Sequence, residues 1–241
     1  MGVAIWMAVW WICEPVPIAA TALLPMVLFP ILGLGTIQET CEPYAHPLVF
    51  LFLGGFLIAL GMQKWHLHRR LALFLIGMLG VRPKRVIAGF LLAGAMISMW
   101  VSNTATAMMM LPIALSVASL TPKRTGHEPD SFSPALMLAV AYGATAGGMG
   151  TLIGTPPNAL LAGYLDRVHG FQIGFAQWML IGVPVVLLTL PIIYWTLTRW
   201  VFRLPEQELP GMQDLLEKAR KDQGPISRGE WTVGGVFALT A

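Results

Sequence analysis

Apolar runs separated by short charged clusters set the rhythm of this chain. Gly2 to Cys13 is too short to cross a bilayer, which takes about 20 apolar residues, and reads as the tail of a helix. After Glu14-Pro15-Val16-Pro17, the run Ile18 to Leu34 is long enough for one crossing. Pro43 to Gln63 crosses back, with the pair Gly54-Gly55 suited to close helix packing, and lands on Lys64, His66, His68, Arg69 and Arg70. Positive residues mark the cytoplasmic side. Leu71 to Val81 is a short apolar piece between that cluster and Arg82, Lys84 and Arg85. It cannot traverse a hydrocarbon core of about 30 Å and is expected to lie in the cytoplasmic interface. Residues 1–63 thus read as scaffold transmembrane helices, the first truncated, and 64–85 as an interfacial helix.

Val86 to Pro122 carries no charge, yet leaves one basic cluster and arrives at another, Lys123-Arg124. Both ends therefore belong on one side, and two full crossings would need about 40 residues plus a turn. The pattern predicts a re-entrant hairpin over 86–122. Its arms are Val86 to Val101 and Ala105 to Leu120, each about 24 Å long as a helix, and Ser102-Asn103-Thr104 is the tip. Non-helical backbone at such depth is tolerated only inside protein or against a water-filled cavity. The next uncharged run, Ser131 to Leu165, has "GATAGGMGTLIGTPPN" at its centre. Glycine costs about 1 kcal/mol and proline about 3 kcal/mol in a helix interior, so 131–167 is expected to be a crossing helix broken between Gly150 and Asn158. Residues 175–198 cross again, and 204–230 form a cytoplasmic connector. Within it, Met212, Leu215, Leu216 and Ala219 recur at helical spacing. Residues 231–241 begin a truncated next helix.

Composition agrees with this layout. The chain is 56% hydrophobic and 11% charged, where a soluble domain carries roughly 25% charged residues. The class is an all-α polytopic membrane protein. The net charge of +3 sits in short clusters and speaks to topology, not to nucleic acid. Cys13 and Cys41 stand far apart without metal-ligand spacing and read as packing residues. The histidines lie near span ends. No signal peptide is read at the start. Both ends fall inside apolar runs, and the chain is expected to be a piece of a longer protein.

The two interruptions hold the candidate chemistry. A helix that starts within the membrane aims free N–H groups and a positive dipole end at whatever precedes it. Ser98, Ser102, Asn103, Thr104, Thr151 and Thr155 surround these starts with uncharged oxygens, the pattern of ion-coupled transporters with discontinuous helices. No Asp, Glu, Lys or Arg lies in Val86–Pro122 or Ser131–Leu165. A dianion held there would lack a fixed arginine and would need co-bound cations; the same absence would suit a neutral solute. Taken singly, "SNT" reads as interhelical hydrogen bonding and Gly150 with Gly154 as packing. Two interruptions with polar centres favour a site. An intramembrane enzyme would need a nucleophile with a base, or a metal cluster, which these cores do not offer; a simple pore is a third class.

"SNTATAMMMLP" and "GGMGTLIGTPPN", with the preceding "FLGGFLIALGMQKWHLHRRLAL", resemble the divalent anion/sodium symporter family, which includes bacterial sodium-dependent dicarboxylate transporters. The resemblance implies two inverted repeats, each with a re-entrant hairpin and a broken helix, in a homodimer of the cell membrane working by an elevator motion. It implies a first sodium site from Ser98, Ser102, Asn103 and the Gly154 carbonyl. The substrate carboxylate would meet Asn103, Thr104 and Thr155, the last a serine in many relatives. No cofactor is implied beyond sodium as coupling ion. No second Ser-Asn-Thr follows Glu230, so the chain is expected to be an N-terminal half holding half the binding site. The implied activity is sodium-coupled symport of C4-dicarboxylates such as succinate, malate and fumarate. Sodium-independent dicarboxylate exchange and citrate or sulfate transport are the alternatives within the family.

Overall fold

The computed structural model describes residues 1–120 and 131–240, and the chain divides into two compact units, Met1–Leu53 and Gly54–Ala241. The expected hairpin end at 122, the basic pair 123–124 and His127 lie outside the described residues. Helices account for all the regular structure found among the described residues.

In the first unit, α1 (Gly2–Cys13) ends where Glu14 turns into the left-handed region, φ 46°. The run Ile18 to Leu34 is divided into α2 (Ile18–Ala22) and α3 (Leu24–Ile31). Pro25 has no N–H to continue α2 and its ring would press on the carbonyl four residues back, so a new helix starts with proline in its first turn. α4 (Ile37–Cys41) opens with a capping box: Thr36 Oγ1 accepts from Glu39 N, and Thr36 N donates to Glu39 Oε2 at 2.8 Å. Tyr44 closes the unit by donating its hydroxyl to the Ala22 carbonyl at 2.7 Å. Both cysteines are free, and Cys13 is exposed.

α5 (Pro47–Lys64) is long and apolar enough to cross a membrane, as is α11 (Phe175–Trp195) with the π-helical turn Thr196–Val201 that extends it. The second unit is built around α7 (Pro83–Ser98), of whose 16 residues eleven are buried. It packs against α6 (Leu67–Leu79), α8 (Asn103–Ala118) and α9 (Phe132–Gly148). α10 (Pro156–His169), α12 (Met212–Gln223) and α13 (Arg228–Thr240) complete the order. The surface helix read from Met212, Leu215, Leu216 and Ala219 is α12, with Met212 and Leu216 buried.

Small residues let α7 and α9 touch at the backbone. A Cβ on Gly143 would meet the Leu91 carbonyl oxygen at 2.5 Å, and one on Gly147 would overlap the Ala95 backbone. On the other side of α7, Gly89 lies against the Ile76 Cα, where a Cβ would come to 3.0 Å. Of the pair Gly54-Gly55, Gly55 packs on the Ile153 side chain and Gly54 faces open space.

α6 is amphipathic. Ala72, Leu73 and Ile76 are buried, while Leu71, Phe74 and Met78 are exposed on another face. His68, read as interfacial, is buried with its Nδ1 3.1 Å from the Met62 carbonyl, and burial pushes its pKa below the ordinary value. The same helix anchors the connector. Arg70 donates from Nε to Glu230 Oε1 at 2.8 Å and reaches the Gln223 and Gly224 carbonyls, closing the end of α12. The Arg70 side chain, then the Ser227 N–H, hold the Glu230 carboxyl below its ordinary value of 4.5.

Two outcomes follow from this packing. Gly147→Ala is expected to lower stability by about 1–3 kcal/mol or more through overpacking, whereas Gly54→Ala leaves it unchanged; detergent melting curves of the two variants make the comparison. Because folding depresses the Glu230 pKa, its contribution is full above the ordinary carboxylate value and lost as pH falls through the folded one. Below about pH 4.5 the melting temperature should therefore fall more steeply in the native protein than in Glu230→Gln.

Candidate functional site

The turn between α7 and α8 is short. Met99 N still bonds back to Ala95 O and Val101 N to Ile97 O, before a new helix starts after Ser102. Ser102 caps α8: its Oγ accepts from Ala105 N at 3.4 Å and its carbonyl from Thr106 N at 2.9 Å. Asn103 and Thr104, expected in the tip, are instead the first two residues of the helix. A helix start leaves its leading N–H groups without intrahelical partners, and those of Asn103 and Thr104 have none among the described residues.

The fully buried Ser98 donates from Oγ to Asn103 Oδ1 at 2.7 Å. Asn103 Oδ1 lies directly over Gly148, where a Cβ would collide with it. Gly148 is in turn stacked on Gly154, whose Cβ would meet the Gly148 carbonyl oxygen at 2.5 Å. Ser98, Asn103 and Gly154 are thus brought together through Gly148. Thr106, one turn along α8 from Asn103, is completely buried, and its Oγ1 has no hydrogen-bond partner among the described residues. Thr104 is exposed and Thr155 half-buried.

Between α9 and α10 the chain runs irregularly from Met149 to Thr155, one residue earlier than Gly150 at its start and with Asn158 already helical. Side chains hold this segment closed. Asn158 donates from Nδ2 to the Gly148 and Thr151 carbonyls, both at 2.8 Å. Thr151 Oγ1 donates to the Met99 carbonyl of the α7–α8 turn and accepts from Gly154 N at 3.1 Å. Trp178 of α11 donates from Nε1 to Met149 O at 3.0 Å. Gly182 sits so close that a Cβ would meet Met149 O at 2.6 Å. The two interruptions are therefore joined directly, through Thr151 to Met99 and through Gly148 to Asn103.

The start of α10 differs from the expectation of free N–H groups there. Pro156 and Pro157 occupy its first two positions and have no N–H, while Asn158 N is taken by Thr155 O at 3.1 Å. Its dipole end remains, but few donors do. Asn158 and Thr106 were not among the residues assigned a binding role; their polar character within apolar surroundings was the available signal.

This cluster of neutral oxygens, without a charged side chain, can hold a hard monovalent cation and face an anion, and it lacks the nucleophile–base pair of a covalent catalyst. A family model described as Citrate transporter matches residues 8–240. The chain belongs to the citrate transporter family. The sodium-dependent dicarboxylate transporter SdcS of Staphylococcus saprophyticus is 41% identical over 247 residues, and that of Staphylococcus aureus strain USA300 39% identical over 246. Each comparison covers 100% of this chain and 47% of the relative. The chain spans about half the length of the curated relatives it matches. These are transporters and not enzymes, and the resemblance carried by the Ser-Asn-Thr and Gly-Thr-Pro-Pro-Asn motifs holds across the chain.

Asn158 tests how the irregular segment is held. Asn158→Ala strands two carbonyls and should cost about 2–4 kcal/mol. Asn158→Asp should cost at least as much, because an ionised carboxylate cannot donate to a carbonyl. Thermal unfolding of the two variants in detergent checks the order; an Asp variant as stable as the native protein would show that the two donated bonds do not hold the segment.

Proposed function

We propose that this chain forms the N-terminal half of a multi-pass cell-membrane transporter that couples sodium entry to uptake of C4-dicarboxylates such as succinate, malate and fumarate. The single observation that carries the reading is the Ser98–Asn103–Gly148–Gly154 cluster, in which uncharged oxygens from two helix interruptions meet around the start of α8. Sodium-dependent dicarboxylate transport by the similar SdcS proteins supports the choice of cargo.

Helix lengths favour a re-entrant hairpin. α7 and α8 have 16 residues each, about 24 Å, against a hydrocarbon core of about 30 Å. In this reading α7 and α8 enter and return, and α9 and α10 form one crossing broken at Met149–Thr155. Ser98 Oγ, Ser102 Oγ, Asn103 Oδ1 and the Gly154 carbonyl take sodium. Asn103, Thr104 and Thr155 meet the substrate carboxylate, with the Asn103 and Thr104 N–H groups aimed at it. The buried Thr106 hydroxyl, without a partner among the described residues, would gain a polar neighbour when an ion or its water occupies the cluster. With no arginine or lysine in Val86–Pro122 or Ser131–Leu165, sodium offsets the charge of the dianion, which makes their movements interdependent. The second half of the site, the partner subunit of a homodimer and an elevator motion complete the proposal.

The name of the matching family model favours a second reading, citrate as cargo. Proteoliposome uptake of labelled succinate by the full-length transporter, with and without a sodium gradient and with unlabelled citrate as competitor, separates the readings. Sodium-driven uptake that citrate blocks only weakly is expected; equal uptake without sodium would overturn sodium symport. Asn103→Ala should abolish uptake while leaving membrane insertion intact, and unchanged kinetics in that variant would remove Asn103 from the site.

A further inference from the structure

The end of α6, the turn at Gly80, the start of α7, Glu208 and α12 from Gln213 to Arg220 line an open surface cavity of about 490 Å³. Two of its carboxylates are occupied: Glu208 lies 3.6 Å from Arg82, and Glu217 lies 3.6 Å from Lys221. Arg85 and Arg220 also line the cavity and have no carboxylate partner among the described residues. Asp214 is the remaining acid, and it sits in the first turn of α12, where the helix dipole favours a negative charge. Three guanidinium groups and three carboxylates thus line the groove, and Arg85 and Arg220 are the two guanidinium groups that stand outside its ion pairs.

Both arginines lie against glycines. The Arg220 guanidinium rests across Gly77, and the Arg85 side chain folds over Gly80, where a Cβ would be in ordinary contact with its Cδ at 3.5 Å. Gly80 has φ 104°, a conformation side chains rarely adopt. Beside the cavity, the exposed stripe Leu71, Phe74 and Met78 gives α6 an apolar face, which suits a helix lying at the level of lipid headgroups. A guanidinium fork matches phosphate oxygens in a bidentate manner.

We propose that the Arg85–Arg220 cavity binds a phosphate group, supplied by the headgroup of an anionic phospholipid whose acyl chains lie along the Leu71–Phe74–Met78 face. The site rests on the interfacial placement of α6 and not on the transported cargo. Binding is read by melting temperature in detergent, so its loss is distinguishable from a failure of the transport reading.

The test titrates the protein with short-chain phosphatidylglycerol, with short-chain phosphatidylcholine and with inorganic phosphate. Saturable stabilisation is expected from phosphatidylglycerol, with phosphatidylcholine much weaker. The Arg85→Gln/Arg220→Gln double variant should weaken the response about tenfold or more, in line with the contribution of each basic residue to anionic-lipid attraction. The Arg82→Gln/Glu208→Gln double variant, which removes a cation together with its paired carboxylate, should change it little. If inorganic phosphate stabilises equally well and loses its effect in the double variant, the phosphate site stands with a soluble source. No stabilisation by either anion, or stabilisation that survives loss of both arginines, overturns the proposal. If the double variant does not fold, Arg85→Gln alone is held to the same criterion, with a several-fold loss expected.

Discussion

Close backbone contact between α7 and α9 is the constraint on which the rest of the second unit depends. Without side chains at Gly143 and Gly147, the two helices meet carbonyl to Cα over successive turns. That approach delivers Gly148, at the last residue of α9, directly under the Asn103 amide. A gap widened by one methyl group would separate Ser98 and Asn103 from the irregular segment beyond α9. In a lipid environment there is little hydrophobic gain from helix association, and van der Waals contact between small residues supplies it instead. The positions that allow tight packing and those that form the candidate site are consequently neighbours along α9.

The irregular segment is kept rigid by a different means. Three side chains tie Met149–Thr155: Trp178 from α11 and Asn158 from α10 reach it from outside, and its own Thr151 reaches the α7–α8 turn. Buried carbonyls released by an interrupted helix are costly unless paired. These three residues supply the donors without adding charge. The site's electrostatics thus come from dipoles and hydroxyls, which attract ions without fixing a permanent partner for them.

Much of this was legible in the sequence, for identifiable reasons. A break within Val86–Pro122 is expected because basic clusters flank too few apolar residues, and a turn between α7 and α8 falls there. The α9–α10 interruption follows from a density of glycine and the Pro156-Pro157 pair. Both signals are local and depend only on composition. What hydropathy could not register was Pro25, which divides α2 from α3 without altering the apolar run. Nor could it show that Asn103 begins α8: Ser102 alone meets the capping requirement, leaving the next two residues free to be helical. The contacts of Asn158 with Gly148 and Thr151 depend on how a seven-residue segment closes, which spacing does not encode. Thr106 was hidden for the opposite reason, since a threonine in an apolar helix ordinarily bonds the carbonyl one turn back and attracts no notice.

The proline pair at the head of α10 has a further physical result. A helix end rich in N–H groups grips an oxyanion through short directional bonds, whereas one that begins with two prolines offers its field and almost no donors. An anion drawn toward α10 would feel attraction that falls off smoothly, with little orientational demand and no set of bonds to break on departure. On the proposed transport reading, a helix start lacking those two N–H groups would release an anion more readily than one that grips it through directional bonds.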